Sequence, residues 1–548
     1  MSNFSQLQQA LTFANSGQLN QALSILKKLK KHQDVRIQAS QLIIKILITL
    51  KNFVQAKTEL SQLMFFLPND YGILNTYTTI CLQTNDIANI CSQHINFITN
   101  NPSHALACFN CAYYLKIIGK FEKSLNFYEK ALLLNITAPH EVYLNMATIC
   151  SDHLRDESKA EIYLKQAIAL KFDYAPAFYN LANLYEQQGD RDSAYSYFVK
   201  SYEADPLYSN VLARLADINR IISGDDVLIA LMQAQLADNL LNNEQRCNLH
   251  YGLGKSFDDC KMYTQAFEHY NKANYIDQQT LPIYDPEVIS DKIDTIISSY
   301  ESNNDLVLDT CDKNDPIFIC GMFRSGSTLL EQILAAHNEV TAGGEIDFFQ
   351  RFINNQQMPF PRIVETLSKV EYAEIARDYQ RAIQKAFPNA KFITDKRPDN
   401  LLYLGLIKKI FPRAKIIFTE RNVLDNCLSV YFLRLGATMN YATDLKNCIH
   451  YYQQQQRLIA YWQSKFGNDI FTFNYDRYVH SPELSTRELL TFLGLAWDEN
   501  CLAFNQVKNS VKTASVWQVR EPLYQTSSGR WKNYQQQLAM LNLPIKLV

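Results

Sequence analysis

This 548-residue sequence predicts an α-helical repeat array followed by an α/β domain with a parallel sheet. Three observations carry that prediction. Small residues recur at a period near 34 in the first half: Ala22 and Ala56 stand 34 apart, as do Ala160 and Ala194. From Pro316 onward the pattern changes to short apolar β runs separated by helical stretches. At the head of that region, residues 317 to 334 read as strand, glycine-bearing loop and helix in immediate succession.

The bulk properties bound the rest. A chain this long exceeds one hydrophobic core and implies two or more domains. A formal charge of −2 argues against a global affinity for nucleic acid or membrane, so any anion site is local. Met1-Ser2-Asn3-Phe4-Ser5-Gln6 has no basic segment leading into an apolar run. No apolar stretch is long enough to span a bilayer. The twelve cysteines are scattered, which suits reduced thiols better than a disulfide framework. Cys108-x-x-Cys111, the one close pair, lies in a helical pattern and reads as two small buried residues. The expected location is cytoplasmic, with export as a signal-less effector left open.

In the repeat region a small residue is followed by another seven positions on, with a turn upstream. Ser124 leads to Ala131, Ala160 to Ala167, Ala194 to Ser201, and Ala266 to Ala273. Small residues are required where neighbouring helices approach closely, and each helix pair buries its apolar face only by stacking on the next. The pattern resembles tetratricopeptide repeats over residues 1–285, clearest in Asp173-Tyr-Ala-Pro-Ala-Phe-Tyr-Asn-Leu-Ala-Asn-Leu-Tyr185. That resemblance implies a superhelix with a concave face and a protein or peptide partner held by it. Tyr113, Tyr114, Tyr179 and Tyr185 read as packing within and between repeats. Pro282-Ile-Tyr-Asp-Pro286 ends the array, because two prolines so close interrupt a helix. A helix near 287–302 and the polar run Asp312-Lys-Asn-Asp-Pro316 make 286–313 a linker to a second domain at 314–548.

In that domain the apolar runs at 317–320, 391–394, 415–419 and 469–473 read as strands of a parallel sheet. Ligands of such sheets sit at the carboxyl ends of strands. Three chemically loaded segments follow the first three strands and so share one rim. The first, Gly321-Met-Phe-Arg324-Ser325-Gly326-Ser327-Thr328, has P-loop spacing, but Ser327 stands where a Walker motif carries Lys. Loop N–H groups and the helix N-terminus suit an anion other than the γ-phosphate of ATP. The second is Thr394-Asp-Lys396-Arg-Pro398-Asp-Asn400. The third runs from Arg421 to Ser429, eight residues on, where a planar guanidinium and a hydroxyl in the first turns of a helix suit a second phosphate.

These segments resemble sulfotransferases that use 3′-phosphoadenosine-5′-phosphosulfate. The resemblance implies that Arg324, Ser325, Gly326, Ser327 and Thr328 bind the 5′-phosphosulfate, and that Arg421 and Ser429 bind the 3′-phosphate. Arg324 together with Gly343-Gly344-Glu345 resembles the protein-tyrosine sulfotransferase branch, with Glu345 as base and Lys396 beside the leaving group. Tyr475 matches a strand-end tyrosine that contacts the nucleotide. Bacterial proteins that fuse tetratricopeptide repeats to a sulfotransferase domain resemble the chain more closely still. Their C-terminal signature corresponds to Gln518-Val-Arg520-Glu-Pro-Leu-Tyr524 and Ser527-Ser-Gly529-Arg-Trp531-Lys532. It implies that Ser527, Gly529 and Trp531 close over the nucleotide. The animal enzymes carry Arg two residues after the base, where this chain has Asp347.

The implied chemistry is sulfuryl transfer to a hydroxyl, in which positioning and charge neutralisation dominate and no metal takes part. A phenol of pKa about 10 needs a base, Glu345; Arg324, Lys396 and the loop N–H groups face the charge that develops opposite. A protein tyrosine held by the repeats is the expected acceptor, with a small phenol, glycan or lipid as alternatives. A repeat scaffold without catalysis is the reading from another class. His337 reads as a turn residue after the first helix, and Gln453-Gln-Gln-Gln456 as a solvated helix face.

Overall fold

The computed structural model describes residues 2–208, 210–301 and 315–543. The part of the expected linker beyond Glu301, residues 302–313, therefore lies outside the described residues. The chain divides into two compact units, 1–180 and 181–548.

The first unit is a run of paired helices, from Asn3–Asn15 with Leu19–Leu29 to Pro139–Ile149 with Glu157–Leu170. The small positions behave as the period requires: Ala22, Ala56, Ser124, Ala131, Ala160 and Ala167 are all 0% exposed. A residue with a larger side chain at these points would part the helices. Helix starts are fixed locally, as where the Asp70 carboxylate accepts the N–H groups of Gly72 and Ile73 at 2.8 and 3.2 Å. Cys108 and Cys111 are buried within the helix Ala105–Ile117. Tyr113 lies edge-to-face on Tyr114.

The repeat pattern runs on into the second unit as the helices Arg191–Ala204, Val211–Ile218, Val227–Leu236, Asn243–Asp259 and Tyr263–Gln278. Ala194, Ser201, Ala266 and Ala273 are fully buried there, and Tyr185 stacks on Tyr197. After the proline-bounded break, the helix Pro286–Glu301 packs into the core of the sheet domain through Ile293, Ile296 and Tyr300. Tyr300 lies edge-on to Trp462, and Gly405 makes room for it, since a Cβ there would stand 2.3 Å from the Tyr300 ring.

The sheet has five parallel strands: β1 (Ile317–Gly321), β2 (Val340–Ala342), β3 (Phe392–Lys396), β4 (Ile416–Glu420) and β5 (Ile470–Asn474), in the order β2-β3-β1-β4-β5. Alternation along the strands builds two cores. Phe318, Cys320, Ile416 and Phe418 face the helices Pro286–Glu301, Lys369–Ala386 and Leu445–Phe466. Ile317, Ile319 and Ile417 face the helices Ser327–Ala335 and Pro482–Leu493. With β1 between β3 and β4, the three loaded segments leave adjacent strand ends.

One reading needs correction. Gln454 and Gln455 are buried, not solvated: Gln454 accepts from Arg457 at 2.6 Å and lies 3.3 Å from His450, so polar side chains here fill an interior helix face. Ser429 sits in the second turn of the nine-residue helix Val423–Tyr431.

Tyr300→Ala is predicted to destabilise the second unit by about 3 kcal/mol, as for other buried aromatic truncations. The check is a urea midpoint that falls with its slope preserved; an unchanged midpoint would show that this helix does not belong to the core.

Candidate functional site

The loop after β1 is shaped by backbone that only certain residues tolerate. Gly321 (φ 139°) lies where a Cβ would stand 2.6 Å from the Thr419 carbonyl, and Gly326 (φ 102°) where one would stand 2.9 Å from the Tyr475 ring. Between them Arg324 itself takes φ 68°. Gly326 precedes the helix Ser327–Ala335, and no side chain caps that end. Its first N–H groups thus meet the cleft with the polarity an anion prefers. Ser325 turns inward: its Oγ bonds Met322 O and Thr419 Oγ1, both at 2.5 Å, and its N–H donates to Met322 O at 3.2 Å, so it braces the loop and does not line the cleft.

Arg324, Gly326, Ser327, Thr328, Glu345, Lys396, Arg421, Ser429, Tyr475 and Ser527 line one cleft at the carboxyl end of the sheet. Ser429 Oγ accepts from Arg324 Nε at 3.1 Å, while Arg421 donates to Arg324 O at 3.3 Å and stacks 4.9 Å from the Tyr475 ring centre. Among the described residues no carboxylate pairs with Arg324 or Arg421. Burial, and then the neighbouring Arg421, pull the Arg324 guanidinium down to about 10. The buried Nε of Arg421 has no partner among the described residues.

Across the cleft Lys396, at the end of β3, is 1% exposed and donates to Glu345 at 2.7 Å. A surface position for this lysine is thereby excluded. Glu345 is held by a loop that crosses β3 tightly: a Cβ on Gly343 would stand 2.0 Å from Thr394 O. Glu331, one turn into the helix after the loop, accepts from Gly344 N at 2.9 Å and Thr394 Oγ1 at 2.8 Å. Burial raises the Glu331 carboxyl, and Lys396 opposes that shift. Behind Lys396, the wholly buried Asp395 accepts from Tyr379 at 2.8 Å and Asn400 at 3.0 Å, and burial raises it to about 7.

The C-terminal segments close the cleft. Gly529 and Trp531 do not line it; their N–H groups donate to the Asp425 carboxylate at 2.6 and 2.7 Å. That anchor brings Ser527 O to Arg421 at 2.5 Å. Thr513, Ser515, Gln518, Tyr524 and Arg530 also line the cleft. Arg324 donates to Ser515 Oγ, and to Gln518 Oε1 at 2.7 Å. Sequence reading named Gln518 and Tyr524 within a signature but gave no role to Asp425, Glu331, Ser515 or Arg530. Only their proximity in the fold reveals them. Segment 511–521 is tied to helical elements of the same unit: Trp517 donates to Glu186 at 2.6 Å, and Arg520 to Gln187 O at 3.0 Å. His337 bonds Ala496 O at 3.0 Å in the turn after the loop helix, away from the cleft.

A parallel sheet, a glycine-bounded loop without the Walker lysine and a paired lysine and glutamate thus meet at one cleft. Residues 316–499 match the family model described as sulfotransferase family, and residues 175–206 a tetratricopeptide repeat. The chain thus carries a sulfotransferase-family domain and a tetratricopeptide repeat. It is similar to an uncharacterized protein of Aquifex aeolicus (strain VF5), 30% identical over 339 residues, covering 56% of this chain and 43% of the relative. It is also similar to protein-tyrosine sulfotransferase 1 of Danio rerio, 24% identical over 231 residues, covering 39% of this chain and 65% of that protein. The chain therefore spans less than two thirds of the length of both relatives. Among solved structures it is similar to the sulfotransferase domain from the Synechococcus PCC 7002 olefin synthase, at 19% identity and TM-score 0.33, covering 44% of this chain and 94% of that one. No described helix is long and apolar enough to cross a membrane.

Because the folded Asp395 holds its proton to about pH 7, against about 4 for an unfolded aspartate, the native state binds more protons in between. Its contribution to stability is present below the unfolded value and declines as pH rises toward 7. Melting temperature measured against pH is predicted to fall across that window, and less steeply in Asp395→Asn; equal slopes would contradict the assignment.

Proposed function

We propose that this protein transfers the sulfuryl group of 3′-phosphoadenosine-5′-phosphosulfate to a hydroxyl, most readily a protein tyrosine. The observation that carries the reading is the convergence in one cleft of two guanidiniums, Arg324 and Arg421, which have no carboxylate partner among the described residues, with a helix N-terminus that no described side chain caps. The cleft fits a ligand with two separate anionic groups: the loop 324–328 faces one, and Arg421 and Ser429 suit the other. The unpartnered Arg421 Nε is a donor that such a group satisfies.

The co-substrate supplies the sulfuryl group in an in-line displacement of phosphoryl-transfer type. The chain's own residues do the rest. Glu345, held by Lys396 and by the Gly343-Gly344 crossing, takes the proton of the acceptor hydroxyl. Lys396 and Arg324, with the loop N–H groups, neutralise charge developing on the nucleotide side. Tyr475, whose ring centre lies 4.9 Å from the Arg421 guanidinium carbon, helps to hold that side chain in place. Segment 525–534, anchored by Asp425, excludes water from one wall. The roles need no metal ligands from the chain.

The acceptor reading rests on the protein-tyrosine sulfotransferases among the relatives. On the acceptor side Asp347 pairs with Arg351 at 3.0 Å. The residue two places after the base thus presents a locally neutralised pair instead of a free cation. Capture of a protein partner is the role we assign to the repeats.

The test is transfer of labelled sulfate from the phosphosulfate donor to a tyrosine peptide and to a simple phenol. Glu345→Gln is predicted to lower kcat by about 10²- to 10⁴-fold while nucleotide affinity stays near that of the parent. Full activity in that variant would remove Glu345 from the mechanism. Absence of transfer by the parent to any hydroxyl would favour a scaffold, and transfer to the phenol alone would move the acceptor to small molecules.

A further inference from the structure

We propose that Asp258, on the helix Asn243–Asp259, is a positioning residue that holds the Arg530 guanidinium in the nucleotide cleft. The inference rests on the nucleotide reading above and adds a role for the last repeat helices. Asp258 does not line the cleft, whereas Arg530 does. The carboxylate is 15% exposed; Oδ2 accepts from Arg530 Nη2 at 2.5 Å and Oδ1 accepts the Tyr534 hydroxyl proton. Tyr534 is fully buried, so the carboxylate is itself fixed from the C-terminal side.

The surroundings leave the guanidinium little freedom. Its carbon stands 5.3 Å from the ring centre of Phe432, which stacks on Tyr270 at 4.0 Å. Tyr270 is seated because Gly254 lacks a side chain: a Cβ there would stand 2.7 Å from the ring. Tyr534 packs on Tyr263 at 5.3 Å and on Phe432 at 5.0 Å. A carboxylate and an aromatic shelf built by helices Asn243–Asp259 and Tyr263–Gln278 therefore set where Arg530 points. Ser429 lies three residues before Phe432, on a helix whose end is gripped by the same pair: Asn274 donates to Tyr431 O at 2.9 Å.

A physical effect follows. A tethered arginine loses less side-chain entropy on meeting an anion than a free one. This gain has to exceed the anion attraction that Asp258 removes by neutralising part of the Arg530 charge. Displacement of the helix Asn243–Asp259 thus alters nucleotide affinity, and nucleotide binding resists that displacement to the same extent.

The experiment is calorimetric binding of adenosine 3′,5′-bisphosphate to the full chain in a double-mutant cycle of Asp258→Asn and Arg530→Gln. Asp258→Asn is expected to weaken binding about tenfold in the parent background, the scale of a charge-assisted contact. In the Arg530→Gln background the same change is expected to cost less than about twofold, because Asp258 acts through Arg530. If Asp258→Asn does not give folded protein, Asp258→Glu carries the same cycle. A purely structural role predicts equal losses in both backgrounds and would overturn the proposal, as would parent-like affinity in Asp258→Asn. Absence of binding by the parent would instead overturn the nucleotide reading, and this assignment with it.

Discussion

Like charge drawn together in a partly enclosed space constrains everything around this cleft. Arg324 and Arg421 face each other's influence with hydroxyls, carbonyls and a tyrosine ring as partners, and the first of them is held less firmly protonated as a result. Such an arrangement is costly without an anion and favourable with one. The structure tolerates it because rigid elements fix the groups: β1 and its glycine-bounded loop carry Arg324, β4 delivers Arg421, and β3 delivers the buried Lys396 to its carboxylate.

The helices that continue the repeat pattern contribute more than a handle. In the unit 181–548 they grip the C-terminal segments that form one wall of the cleft, through Glu186 and Gln187 at one end and Asp258 at the other. The helix Pro286–Glu301 is built into the sheet core by Tyr300. The boundary between the repeats and the sheet domain is a change of sequence pattern; in packing, the last repeats and the sheet belong to one compact unit. This explains why the compact units divide at 180, well before the pattern ends near 285.

The parts legible in sequence were those written contiguously. Strand, loop and helix around Arg324 are adjacent in the chain, and Arg421 and Lys396 each end an apolar run, so β periodicity places them on one rim. The seven-residue spacing of small residues marks helix contacts that are fully closed in the fold. Three residues of β2 gave too little periodicity to read as a strand. Asp425, Glu331, Ser515, Arg530 and Asp258 were invisible for a different reason. Each acts on a group 13 to 272 positions away, and no local pattern encodes such a pairing. Gln454 and Gln455 misled because a polar run normally faces water, whereas here both are buried, Gln454 with hydrogen bonds to Arg457 and His450.

Calorimetric titration with adenosine 3′,5′-bisphosphate, run beside ATP with magnesium and repeated on Arg421→Ala, tests the central claim most directly. The account predicts that the bisphosphate binds in preference to ATP and that Arg421→Ala abolishes the preference. Tighter binding of ATP, or a bisphosphate affinity indifferent to Arg421, would contradict it.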